Sequence, residues 1–134
     1  MKALELENEL IEREDLDIFD VVARVSGNLH LDLEEDWEQP LAWDIIPRLT
    51  AEDLRGKLPK TKKELLTPIK EGRITFCING DYTYFRTYTN PNWLDMVQAT
   101  ADIIRERGGR GGFVMEIIDR HPTNENVYSI CLGS

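Results

Sequence analysis

The sequence predicts an α+β fold: a two-layer arrangement with a mostly antiparallel sheet built from hairpins and helices packed on one face. Three observations predict it. Asn79-Gly80 sits between two runs of alternating apolar and polar residues, 73–78 and 82–89. An Asn-Gly step supplies the positive φ angles of a tight hairpin turn, and its twist matches that of the flanking strands. Trp93, Met96/Val97, Thr100 and Ile103/Ile104 then recur at helical spacing, with Asn90 as cap, Pro91 at the first position and Gly108-Gly109 as the stop. Two further alternating runs, 113–118 and 127–132, flank a polar loop, 121–126. The C-terminal half therefore reads β-β-α-β-β.

The N-terminal elements are justified in turn. Residues 2–14 place Leu6 and Leu10 one turn apart beside Ala3, Leu4 and Ile11, with glutamates on the remaining face, which predicts an amphipathic helix. Residues 17–33 fit two patterns. Ile18, Val21, Val22 and Val25 form a helical stripe, while Phe19, Val21, Ala23 and Val25 alternate, as do Leu29, Leu31 and Leu33. The β-branched content and the turn-forming Ser26-Gly27-Asn28 favour a hairpin with strands at 18–25 and 29–34. Residues 35–72 read as irregular, with short helices broken by Pro40, Pro47, Pro59 and Pro68. One is expected at 40–46, ended by Pro47, and a second opens at Thr50 with Asp53 three residues on. A third follows the capping box Thr61-Lys62-Lys63-Glu64. In the hairpin, Ile74, Phe76 and Ile78 share one face of the first strand, with Thr75 and Cys77 on the other.

A chain of 134 residues suits a single domain over 1–134: an acidic helix plus hairpin (1–34), the irregular stretch (35–72) and the β-β-α-β-β unit (73–134). No apolar run approaches the roughly 20 residues of a membrane span, and the start lacks a signal-peptide pattern. We expect a soluble, cytoplasmic protein. Cys77 and Cys131 read as reduced thiols, able to bond only if their strands are neighbours.

The net charge of −9 is uneven. Residues 1–53 hold 16 acidic and 4 basic residues, 54–73 hold 2 and 7, and 74–134 hold 7 and 5. Such a balance disfavours nucleic acid and anionic membranes as partners and favours a basic protein surface. The basic stretch 55–73 offers lysines for phosphate contacts but lacks interleaved aromatics, and docking against the chain's own acidic third is an equally open reading.

Chemistry-bearing residues are sparse. His30, Asp32 and Glu34 alternate on one predicted strand face, short of a full set of metal ligands. Glu116, Asp119 and His121 fall near the end of a strand, where an Asp-His pair can perform acid–base chemistry, but no nucleophile motif accompanies them. Gly108-Gly109-Arg110-Gly111-Gly112 follows a helix, the reverse of a phosphate-binding loop, and reads as a flexible turn. Tyr82, Tyr84 and Tyr88 share a strand face with Arg86, a combination common in protein-binding hot spots.

No family motif is matched. The expectation is a non-catalytic, acidic protein-binding module: an adaptor, an assembly factor, or an inhibitor or immunity-type protein. Its partner would be another protein with a basic patch, and no cofactor or metal is expected. The candidate contact residues are Tyr82, Tyr84, Arg86 and Tyr88 with Trp37, Glu34, Glu35 and Asp36. The alternatives are a small enzyme using Asp119, His121 and Glu116, and a nucleic-acid binder or mimic. The register of the Asn79-Gly80 hairpin decides whether the tyrosines are free or lie on the face of Ile74 and Phe76.

Overall fold

The computed structural model describes residues 3–26, 42–49, 54, 56–108 and 114–133. Its elements are α1 (Ala3–Glu12), α2 (Ile18–Ser26), β1 (Ala42–Leu49), a 3₁₀ turn (Lys63–Leu66), β2 (Arg73–Ile78), β3 (Asp81–Thr89), α3 (Trp93–Glu106), β4 (Val114–Arg120) and β5 (Val127–Gly133). The class is α+β, and the C-terminal half has the expected β-β-α-β-β order.

The five strands lie in the order β1-β4-β5-β2-β3. The pairs β2/β3 and β4/β5 are antiparallel. The pairs β1/β4 and β2/β5 are parallel, so the sheet is mixed where a mostly antiparallel one was expected. Helix α3 is the cause. Its 14 residues rise about 21 Å, comparable to a strand. The chain therefore re-enters the sheet at the end where β3 began, and β4 runs parallel to β3. The β4–β5 hairpin then brings β5 against β2.

The Asn79-Gly80 turn is where the sheet is tied together. Asn79 and Gly80 have φ of 51° and 74°, the paired positive values of a type I′ turn. Ile78 pairs with Asp81 across it, so the loop has two residues. Three hydrogen bonds fasten the turn to β5: Asn79 N–H to the Ile130 carbonyl at 3.0 Å, Leu132 N–H to Asn79 Oδ1 at 2.9 Å, and Gly80 N–H to Ser129 Oγ at 2.8 Å. Beyond the turn the register slips. Cys77 alone separates Phe76 from Ile78 on β2, while residues 82–85 separate Asp81 from Arg86 on β3. An odd number of additional residues inverts the facing of β3. Ile74 then pairs with Tyr88 and Phe76 with Arg86, while Thr75 and Thr87 meet on the other face with their hydroxyls 2.8 Å apart.

Helix α3 carries the core. Trp93, Leu94, Met96, Val97, Ala99, Thr100, Ala101, Ile103 and Ile104 are buried. It packs on β2 and β3 on one side and on α2 on the other. Each large side chain buried there contributes about 1.5–3 kcal/mol. The buried Thr100 hydroxyl is satisfied by the Met96 carbonyl at 2.8 Å. The N-cap is Asn92, two residues later than expected. Asp95 N–H donates to Asn92 Oδ1 at 2.8 Å and Asn92 N–H donates to Asp95 Oδ2 at 2.9 Å. Asn90 is instead left-handed (φ 49°) and clamps Gly72, whose N–H it accepts at 2.7 Å. Gly108, at φ 78°, ends the helix as expected.

Two expectations are corrected upstream. The predicted strand 18–25 is helix α2. Val21, Val22 and Val25 are fully buried, while Phe19, Asp20 and Arg24 face solvent, a helical period. Asp17 and Asp20 cap it reciprocally at 2.9 and 3.1 Å. Burial against α3 together with this cap overrides the strand preference of β-branched residues. Arg105 fastens the other end, donating to the Ser26 carbonyl at 2.6 Å. The predicted helix 40–46 is instead strand β1 over its described part, with Pro47 inside it. An edge strand is where a sheet tolerates proline, and the β1 register shifts across residues 44–47. The Thr61–Glu64 box is half formed: Glu64 N–H reaches Thr61 Oγ1 at 3.4 Å, but Glu64 Oε2 accepts from Lys60. The predicted strand 29–34 and the helix opening at 50–53 lie outside the described residues.

Helix α1 docks through Leu10 and Ile11, which are buried. The Lys62 ammonium donates to the Arg13 carbonyl that follows it, an internal use of the basic stretch. Half-buried Glu7 lies beside Asp95. Burial, and then the Asp95 charge, push Glu7 up to about 7. Burial also raises Asp95, but the Asn92 N–H opposes that rise. Below about pH 7 Glu7 therefore holds its proton.

Three outcomes follow for stability, each read by urea denaturation. Gly80→Ala should cost about 1–2 kcal/mol, since a Cβ meets nothing within 4 Å and the loss is backbone strain alone. Asn79→Gly should keep the turn and cost about 1 kcal/mol through the Leu132 N–H left without its acceptor. For Glu7, the native carboxyl keeps its proton across a pH window in which the unfolded chain, near its ordinary 4.5, has lost it. Wild-type stability should therefore fall as pH rises from 4.5 to about 7. Glu7→Gln should match wild type at pH 4 and exceed it by about 1 kcal/mol at pH 8, the full linkage value being reduced by solvent reaching this half-exposed group.

Candidate functional site

The register slip in β3 separates the predicted tyrosine row. Tyr84 and Tyr88 pack against the core. The Tyr88 ring lies 6.2 Å from that of Phe76, and burial, with Asp102 and Asp95 nearby, pushes its hydroxyl up to about 12. Arg86 is half-buried and pairs with Glu106 at 2.5 Å. Only Tyr82 of the row is exposed, at 45%, with its ring 5.1 Å from the His121 ring in an edge-on contact. Trp37, Glu34, Glu35 and Asp36, as well as His30 and Asp32, lie outside the described residues.

The residue that sequence reasoning missed is Phe85. It is 55% exposed, more than any other large apolar side chain described. From Thr83 to Thr89 the exposed and half-buried residues alternate without interruption, so Thr83, Phe85, Thr87 and Thr89 form one outward row. Burial of every second residue was legible, but which set is buried depends on the slip. The irregularity spans residues 82–85 of β3, and at its start Asp81 Oδ1 accepts the Thr83 N–H at 3.0 Å.

Strand β3 is also a sheet edge, and the two edges differ. Both edge strands carry a register shift, but β1 also holds Pro47, a device that blunts an edge. From Thr83 onward β3 has no proline, lysine or acidic residue, and among the described residues it pairs only with β2. Its charges at either side are already balanced, Arg86 by Glu106 and Asp81 by Arg107 at 3.9 Å.

The candidate catalytic residues do not converge. Glu116 lies across Gly133, whose added Cβ would meet Glu116 Oε1 at 2.0 Å. His121 is at the opposite end of the β4–β5 hairpin. Its Nδ1 accepts the N–H groups of Thr123 at 3.1 Å and Asn124 at 3.0 Å, which assigns the proton of the neutral ring to Nε2. The imidazole thereby holds the loop together. The cleft at this loop, ≈ 660 Å³, is lined by residues 120–126, without Glu116 or Asp119. Among the described residues no group of three or more His, Cys, Asp or Glu is placed to hold a metal ion.

Cys77 and Cys131 are free and share a sheet face. Cys77 pairs with Ser129, so Cys131 is the diagonal neighbour. Diagonal neighbours lie about 7–8 Å apart, past the roughly 7 Å limit for a disulfide without backbone movement. Burial pushes both thiols up, with Ser129 opposing.

The basic stretch is divided. Lys57 and Lys60 line a cleft of ≈ 510 Å³ whose floor includes Trp93, but the Glu64 carboxylate shares that lining and opposes an anion. Lys70 donates to the Glu125 carbonyl at 2.7 Å and sits 5.8 Å over the Tyr128 ring. No described helix is long and apolar enough to cross a membrane.

Among known proteins, no family model, no curated sequence and no solved structure matches this chain.

Proposed function

We propose that the chain is a non-catalytic, acidic protein-binding module that takes up an extended segment of another protein along the free edge of β3. The observation that carries this reading is the contrast between the two edges. One holds a proline, while the other has none and presents Phe85 to solvent. Main-chain hydrogen bonds to an added strand supply affinity, and the side chains beside them supply selectivity. Phe85, flanked by Thr83 and Thr87, offers an aromatic anchor in a polar surround, the composition of a binding hot spot. The net charge of −9 favours a partner with a basic surface, so that encounter is electrostatically assisted. This is the chemistry of an adaptor, an assembly factor or an inhibitor.

The test is capture of a partner from the native host on immobilised protein. Phe85→Lys should weaken the complex about 10-fold or more, the loss of one hot-spot residue. Raising salt from about 0.05 to 0.5 M should weaken it further, as screening shortens the reach of the acidic surface. A complex that is indifferent to both changes would remove the basis of the reading.

A further inference from the structure

The loop 121–126, which joins β4 to β5, converges on a single nitrogen atom. His121 Nδ1 accepts the N–H of Thr123 at 3.1 Å and the N–H of Asn124 at 3.0 Å, and the Thr123 hydroxyl lies 3.3 Å from it. Two successive backbone donors thus share one lone pair. That lone pair exists on the neutral ring and is gone from the imidazolium, in which both ring nitrogens carry protons. The tip of the loop has no core to hold it, since Pro122, Thr123, Asn124, Glu125 and Asn126 are exposed. Its base is fixed independently of the ring. His121 N–H donates to the Val127 carbonyl at 2.8 Å, Thr75 N–H to the Asn126 carbonyl at 2.9 Å, and the Lys70 ammonium to the Glu125 carbonyl at 2.7 Å. The ring also touches a distant strand. The Tyr82 ring of β3 meets it edge-on at 5.1 Å, although β5 and β2 lie between β4 and β3 in the sheet.

The surroundings favour a proton on this ring, while the closed loop has no place for one at Nδ1. Asp119 lies two residues before His121 along β4 and Glu125 lies in the loop itself. Both carboxylates, with the net charge of −9, attract a proton. Arg120 beside the ring, Lys70 at the loop and Arg73 on the Thr75 side of β2 oppose it. Tyr82 and Cys77 are both raised, by desolvation first, and carry no charge between about pH 5 and 8, where histidine changes its own. A proton at Nδ1 would point a third donor at two N–H groups. The closed loop therefore binds that proton less well than an open one, so closure is favoured at high pH and lost as pH falls. We propose that His121 is a pH-operated latch: neutral, it closes the loop 121–126 and braces Tyr82; protonated, it releases the Thr123 and Asn124 N–H groups, and the loop opens about its fixed base. The latch acts within this chain and stands whether or not the β3 edge has a partner.

Amide–water exchange measured by NMR at about pH 8 and pH 5, each rate divided by its intrinsic value at that pH, tests the latch. In the wild type, protection of Thr123 and Asn124 should fall about 10-fold or more between the two. Thr75, whose N–H lies at the base of the loop, should keep its protection, and the Tyr82 ring signals should move in step with the loop. His121→Asn places an amide oxygen where Nδ1 accepts and has no proton to gain, so its loop should stay protected at both pH values. His121→Leu has no acceptor, and its loop should be unprotected at both. The same comparison removes His30, the other histidine, as the source of any pH effect, because both variants retain it. Equal wild-type protection at the two pH values, a His121→Asn loop that opens in acid as the wild type does, or a His121→Leu loop that stays protected would each overturn the inference. So would loss of Thr75 protection together with the loop, which is the mark of general acid unfolding. Tyr82 signals that ignore the loop would overturn its link to β3.

Discussion

The three hydrogen bonds that fasten the Asn79-Gly80 turn to β5 are the constraint on which the rest of the sheet depends. A type I′ turn alone would join β2 to β3 and leave their relation to the other strands open. Here the turn also satisfies backbone groups of β5, so the parallel β2/β5 register and the antiparallel β2/β3 register are set at one place. With the turn held, β3 cannot slide to bring its tyrosines over the apolar row of β2. The chain reaches that alignment by accommodating additional residues between Asp81 and Arg86. Burial of Tyr88 against Phe76 and exposure of Phe85 are both consequences of that accommodation.

A second constraint works from the helix side. α3 is buried over most of its circumference, so its position is over-determined by the sheet, by α2 and by the 3₁₀ turn. Its ends are both engaged in fastening neighbours. In the N-terminal box the Asp95 carboxylate accepts the Asn92 N–H beside Glu7, and Arg105 near the C-terminus binds the last carbonyl of α2. At Glu7 this packing sets two carboxylates together. An otherwise favourable helix–helix contact therefore carries an electrostatic cost that a proton removes.

What was legible in the sequence is what depends on local chemistry. The Asn-Gly turn, the helical stripe from Trp93 to Ile104 and the glycine stop at Gly108 need no knowledge of the partner surfaces. The errors arise where the tertiary setting decides. Val21, Val22 and Val25 suit a strand by propensity, and only burial against α3 makes their helical spacing the relevant one. The Asp17-x-x-Asp20 cap was present in the sequence and points the same way. Pro47 reads as a helix terminator because nothing local reveals that its strand lies at an edge. The exposure of Phe85 was the least accessible feature. Alternation in β3 is equally regular under either facing, and the choice is made by a slip that only the fixed turn and the β2 core row together impose.

The two edges therefore have different physical histories. β1 enters the sheet parallel to β4 and carries a proline, which has no N–H to donate. β3 has its irregularity at residues 82–85, where Asp81 accepts the Thr83 N–H. From Arg86 to Thr89 it pairs in register with β2. An edge strand that presents an exposed aromatic residue is a hazard for a protein that has no occupant for it. The net charge of −9 opposes close approach of two copies. A sequence under pressure only to stay monomeric would place a lysine or proline at position 85, where the side chain is free of the core and either change costs little. Phenylalanine at that position, between two threonines, is the choice that makes sense if the edge is meant to be covered.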